Sequence, residues 1–185
     1  VAIVNNGNVT TVKKGKCIIT AISEGKEHHC YVEVTDLKNA EQINEQYNVY
    51  SMLGMINKNR VQVKAEPLQI KEDLNRAAEI RAKEVSQYFS HTRLNQKSYS
   101  SIYDDIHLKV GSFIGENIAF SSDITENMGE LVQDAYKGLY ASKGHRDNML
   151  NPNYKYIGIG TYTKVYEENG WMYADTYYAQ EFYTK

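Results

Sequence analysis

Along this chain the spacing of apolar residues changes twice. Up to residue 35 it alternates with period two: "CIITAI" and "CYVEV" switch faces at each residue and are rich in β-branched side chains, with turn clusters at "NNGN" and "SEGK". From residue 36 the period becomes helical. Ile43, Tyr47, Tyr50 and Leu53 predict an amphipathic helix that ends near Asn57, and Pro67 in "AEPLQI" breaks the chain. Leu74, Ala78, Ala82, Val85 and Phe89 line one face of a second helix, with Ala77 beside them, and the small alanines imply close packing on a neighbour. Met128, Leu131, Val132, Ala135 and Leu139 mark a third helix, with Thr125 as its N-cap. Period two then returns in "YIGIGTYTKVY" and "WMYADTYYAQEFY", joined at "EENG", which reads as a long antiparallel hairpin. Helices followed by strands predict an α+β fold rather than alternating βαβ units.

Composition narrows this little. Hydrophobic residues make up 42% of the 185 and charged residues 24%, and the net charge of −2 gives no electrostatic reason to expect nucleic acid as a partner. No apolar run approaches the roughly 20 residues of a membrane span. The chain opens Val1-Ala2-Ile3, with neither an initiator Met nor a signal pattern, and reads as a processed chain or a part of something longer. Tyrosine is the outlier, 16 against 4 Phe and 1 Trp, concentrated between Tyr154 and Tyr183, as suits a sheet with one wet face. Cys17, Ile19 and Ala21 fall on one strand face, and Cys30, Val32 and Val34 on the facing one. Two buried free thiols are expected there, with a disulfide as the alternative. His28-His29-Cys30 is not read as a metal site, because strand neighbours point to opposite faces.

Three polar clusters stand at element boundaries: "FSHTR" (89–93), "GENIAF" (115–120) and "GHRDN" (144–148). Their His91, Glu116 and His145 could form a general acid-base set, or a metal shell with an open water position. Each also has a structural reading: His91 at a helix C-terminus, Glu116 accepting loop amides, His145 capping a turn. There is no HExxH to fix local geometry, and His107 in "DDIHLKV" is taken as a surface or core residue.

Five ordered motifs add a resemblance: "INKNR" (56–60), "LNRAAEIRAKEVSQYFSHTR" (74–93), "GENIAF", "SKGHRDNMLNPNYKYIGIG" (142–160) and "YYAQEF" (177–182). Across residues 46–183 the chain resembles the bacterial branch of the CAP superfamily, which groups cysteine-rich secretory, antigen 5 and pathogenesis-related 1 proteins. The resemblance implies an α-β-α sandwich with a central cleft holding His91, Glu116 and His145, and an extracellular setting, secreted or on the bacterial cell surface. On that resemblance Gly144 turns the chain off the third helix, His145 points into the cleft, and Arg146, Asp147 and Asn148 are scaffolding. Ser142 stands where many eukaryotic members carry a second acidic residue, leaving Glu130 and Asp134 as stand-ins, and this region has no cysteine. Residues 1–35 resemble part of a bacterial immunoglobulin-like domain of group 2, which gives two regions, 1–35 and 36–185.

Family members are associated with lipid binding, divalent metals and disputed proteolysis. The favoured expectation is a binding module whose cleft takes a small-molecule, lipid or peptide ligand, or a metal such as Zn²⁺ or Mg²⁺ on His91 and His145, without turnover. The alternatives are a metal-dependent hydrolase, with Glu116 as ligand or general base, and an adhesive surface module that engages a host or cell-surface partner.

Overall fold

The structure is a computed structural model describing residues 2–5, 8–11, 15–23, 26–34, 40–111, 113–125 and 128–184. The chain divides into two compact units, residues 1–44 and 45–185. In the first, β1 (Ala2–Asn5) pairs antiparallel with β2 (Asn8–Thr11), and β3 (Gly15–Ser23) with β4 (Lys26–Val34). Cys17 lies opposite Val32 and Cys30 opposite Ile19, so the two cysteines share one face, as the alternation predicts. They are free thiols, but they are not buried: Cys17 is half-buried and Cys30 exposed. A two-stranded ladder has no second layer of its own to bury either face, and Ile18 and Ile22 on the other side are exposed too. The tips of the two predicted turns (6–7 and 24–25) and the boundary at residue 36 lie outside the described residues.

Unit two is built on a four-stranded sheet of order β5-β7-β8-β6: β5 (Gln69–Ile70), β6 (Ile114–Ile124), β7 (Tyr156–Glu168) and β8 (Trp171–Tyr183). Pairing is antiparallel except between β5 and β7. Asn169 and Gly170 both take positive φ between β7 and β8, as a two-residue hairpin turn of the right twist requires. The helices are α1 (Ala40–Gln62), α2 (Glu72–Val85), α3 (Ser101–Asp105), α4 (Met128–Ala141) and α5 (Lys143–Leu150).

One sheet face packs Ile157, Ile159, Tyr178 and Phe182 against α1, α4 and α5 through Met52, Ile56, Val132, Ala135 and Met149. The other packs Ile118, Ala179 and Tyr183 against α2 and α3 through Leu74, Ala77, Ala78, Ala82, Val85, Ile102 and Tyr103. The sheet thus lies between two helical layers, and full burial of each large apolar side chain contributes roughly 1.5–3 kcal/mol. The alanine face of α2 lies against two glycines of β7. A Cβ on Gly158 would stand 2.1 Å from the Leu74 carbonyl carbon, and one on Gly160 2.1 Å from the Glu79 nitrogen. Backbone meets backbone there, and a side chain would force them apart.

Three expectations shift. Helix α1 runs past Asn57 to Gln62, since nothing breaks it before Pro67, and it buries Asn48, Met52, Ile56 and Arg60 rather than Tyr47 and Tyr50. The buried stripe carries polar residues because Arg60 donates to the carbonyls of Glu66 (2.7 Å), Met149 (2.9 Å), Asn151 (2.9 Å) and Tyr154 (3.1 Å). Helix α2 stops at Val85, leaving Phe89 exposed beyond its end. Helix α4 is described from Met128, and residues 126–127, which decide whether Thr125 caps it, lie outside the described residues. His145 sits inside α5, which the sequence reading treats as a loop. His107 is exposed at positive φ after α3.

Candidate functional site

Glu116 occupies the outer strand β6, and its side chain is fully buried. Burying a carboxylate is tolerable only with charge and hydrogen bonds to compensate. Arg81 on α2 supplies both, through Nε to Oε2 at 2.6 Å and Nη2 to Oε1 at 3.2 Å. The same guanidinium reaches Glu84 Oε2 at 2.5 Å and the Ser90 carbonyl at 2.8 Å, which fixes the chain just before His91. Arg93 closes the cluster on Glu84 (2.7 Å) and Asp105 (2.7 Å). Burial alone would raise the Glu84 pKa, but its hydrogen bonds to Arg93 and Arg81 outweigh that and hold it below the ordinary carboxylate value.

His91 follows α2. Its carbonyl accepts from the Tyr99 amide at 2.9 Å, and a bridge between Thr92 and Ser98 closes the loop, so the ring is held between two arms. Nδ1 lies 2.8 Å from Glu116 Oε1 while about half of the side chain, 53%, faces solvent. A carboxylate paired with Arg81 can only accept, so Nδ1 carries the hydrogen of this bond and Nε2 stays outside it. Tyr99 stands edge-on to this ring, centroids 6.4 Å apart. Its phenol is pushed up to about 12 by burial first, then by Glu181, Tyr154 and Glu116, so it stays a donor.

His145 comes from the opposite layer. Asn117, the neighbour of Glu116 on β6 and therefore on the other sheet face, donates to the His145 carbonyl at 3.0 Å and to Gln180 at 2.9 Å. Asn148 donates to the Asn117 side chain at 2.9 Å and to the Glu116 carbonyl at 3.3 Å. Arg146 caps α4 through the Tyr140 carbonyl at 2.7 Å, and Asp147 pairs with Lys143 at the surface. The polar crowding of "SKGHRDNMLNPNY" therefore fastens a short helix to the sheet edge. Gly144 is helical without positive φ, so it is not the turning point the resemblance suggested. Burial and the nearby His91 imidazole both lower the His145 pKa, which makes it neutral at neutral pH.

His145 feels the charge of His91 across the β6 edge, and Glu116 bonds to His91 from within the sheet. Two imidazoles suit a divalent transition cation, but Glu116 does not complete the shell, since both its oxygens are engaged by Arg81 and His91. Among the described residues no group of three or more His, Cys, Asp or Glu could hold a metal. Glu130 is exposed and Asp134 pairs with Lys137 on the surface of α4. The second buried acid is Glu181 on β8, directly opposite Glu116. It lies within the "YYAQEF" motif, where alternation alone gives no sign of its partner. A shallow groove of about 430 Å³ lined by Tyr47, Tyr50, Ser51, Gly54, Met55, Lys58 and Gln133 contains neither histidine. No helix among the described residues is long and apolar enough to cross a membrane.

Comparison with known proteins gives the family and the fold. The profile of the CAP (cysteine-rich secretory protein) family matches residues 53–182. The uncharacterised protein YkwD of Bacillus subtilis strain 168 is 33% identical over 113 residues, covering 59% of this chain and 40% of YkwD. An extracellular protein containing an SCP domain from Bacillus anthracis superposes with a TM-score of 0.59 at 22% identity, over 85% of this chain and 47% of that one. The cysteine-rich secretory protein SAV1118 from Staphylococcus aureus gives 0.54 at 19%, over 85% and 43%. These two share the fold, and the chain spans less than half the length of each of the three proteins.

Proposed function

The chain belongs to the cysteine-rich secretory protein family, and on that premise we propose that it is a binding module whose His91 and His145 together hold a divalent cation of the zinc class without turnover. The observation that carries this is the 2.8 Å bond from His91 to a buried, Arg81-held Glu116. Metal-binding histidines ordinarily donate their second ring nitrogen to such a carboxylate, which fixes the tautomer and raises ligand basicity. His91 would bind through Nε2 and the neutral His145 from the facing layer. A bound Zn²⁺ would leave positions open to an oxygen or nitrogen of a small ligand or peptide end.

The same geometry argues against the hydrolase alternative. A general base needs a free oxygen within reach of the attacking water. Both oxygens of Glu116 are committed, and its side chain is fully buried. The extracellular setting in which we place the protein rests on relatives such as the Bacillus anthracis extracellular protein. The immunoglobulin-like assignment of the N-terminal hairpins rests on the sequence resemblance alone.

Calorimetric titration of Zn²⁺ into chelator-stripped protein near neutral pH tests the reading. One-to-one saturable binding is expected, weakened at least tenfold in His91→Ala and lost in the His91→Ala, His145→Ala double variant. Binding that is absent, or unchanged in the double variant, would sink it.

A further inference from the structure

Glu181 is fully buried, at the centre of the sheet in β8. On one side its cross-strand partner is Glu116, and on the other Gly158, which offers no side chain. The Tyr103 hydroxyl from α3 donates to Oε2 at 2.5 Å. Its second oxygen, Oε1, is buried and finds no hydrogen-bond partner among the described residues. The charged groups around it are Glu116 on β6 and Arg81 on α2, with Tyr99 beyond. Arg81 and Arg93 are already balanced by Glu84 and Glu116, with Asp105 at the rim. An ionised Glu181 would be a fifth charge in that interior, with no cation left for it.

We infer that Glu181 is a neutral, proton-donating acid that positions Glu116 for His91, its O–H directed across the strand pair at the Glu116 carboxylate. The orphaned Oε1 then has its partner, and Glu116 accepts from Arg81, His91 and Glu181. Burial first, then the charge on Glu116, drives the Glu181 pKa well above the ordinary carboxylate value, despite the opposing effects of Tyr103 and Arg81. Two facing carboxyl groups with one proton between them are a known solution to burying both, here closed off from solvent. The consequence for the site is a single negative charge behind His91. The proton shared across the strand pair holds the Glu116 carboxylate facing His91 Nδ1.

The positioning role rests on the proposed cation site, whereas the protonation of Glu181 does not. Infrared difference spectra at neutral pH should therefore be recorded on the whole chain beside Zn²⁺ titrations of Glu181→Gln and Glu181→Leu. The wild type is expected to show the C=O band of a protonated carboxylic acid that disappears in Glu181→Gln and persists in His91→Ala. The amide of Glu181→Gln retains a donor and should keep Zn²⁺ affinity within about threefold, while Glu181→Leu should lose about tenfold. Absence of the band overturns the inference whether or not Zn²⁺ binds. Equal affinity in wild type and Glu181→Leu overturns the positioning role. Should Glu181→Leu fail to fold, the band and the Glu181→Gln affinity decide the matter. If the wild type binds no Zn²⁺, the cation reading falls and the band alone judges the proton.

Discussion

The half-buried Glu84 and the buried Glu181 respond to pH with opposite signs. Glu84 has a folded-state pKa below the ordinary value, so its contribution is present above that value and is lost as pH falls through the folded one. Glu181 has a raised pKa, so folding is favoured at acid pH and loses stability as pH rises towards the folded value. Chemical denaturation from pH 3 to 8 should show Glu84→Gln losing the wild type's acid sensitivity. Glu181→Gln should gain on the wild type as pH rises above the ordinary carboxylate value of about 4.3, by up to 1.4 kcal/mol per pH unit. A Glu181→Gln advantage independent of pH would contradict this assignment. At this scale the sequence goes far for some residues and fails for others. His91, Glu116 and His145 stand in recognisable motifs. Glu181 escapes because its meaning depends on standing opposite Glu116, a register that neither segment encodes alone.

Among the elements, the contact of α2 with β7 is the least forgiving. Gly160→Ala should cost about 3 kcal/mol or more in equilibrium unfolding, at or above the usual range for overpacking, because the obstacle is the Glu79 backbone rather than a mobile side chain. A loss under about 1 kcal/mol would mean that α2 can lift away from the strand. The alanines at 77, 78 and 82 signalled this close approach in advance, whereas the helical character of 143–150 did not show. That segment is short and polar, and its order comes from Asn117 and Asn148 on one side and Arg60 beneath its end. The face of α1 was misjudged for the same reason: a template that seeks apolar residues passes over a buried arginine whose donors meet four distant carbonyls.

At the scale of the molecule, the elements that carry the site all lie in residues 45–185, and the two hairpins form a unit of their own. A chain lacking residues 1–39 should keep the thermal midpoint of the site-bearing unit within a few degrees and bind Zn²⁺ with unchanged affinity. Loss of either on truncation would show that the hairpins support the site. The site itself joins two layers. His91 is carried beside α2 with Glu116 on one sheet face, and His145 belongs to α5, fastened through Asn117 on the other. Any ligand gripped by both imidazoles would therefore act as a rivet through the edge of the sandwich. Its binding would resist the separation of the two helical layers by an amount that grows with the logarithm of its concentration over its dissociation constant. Where proteases act on whatever opens, occupancy of the site would then set the protein's lifetime as well as its binding.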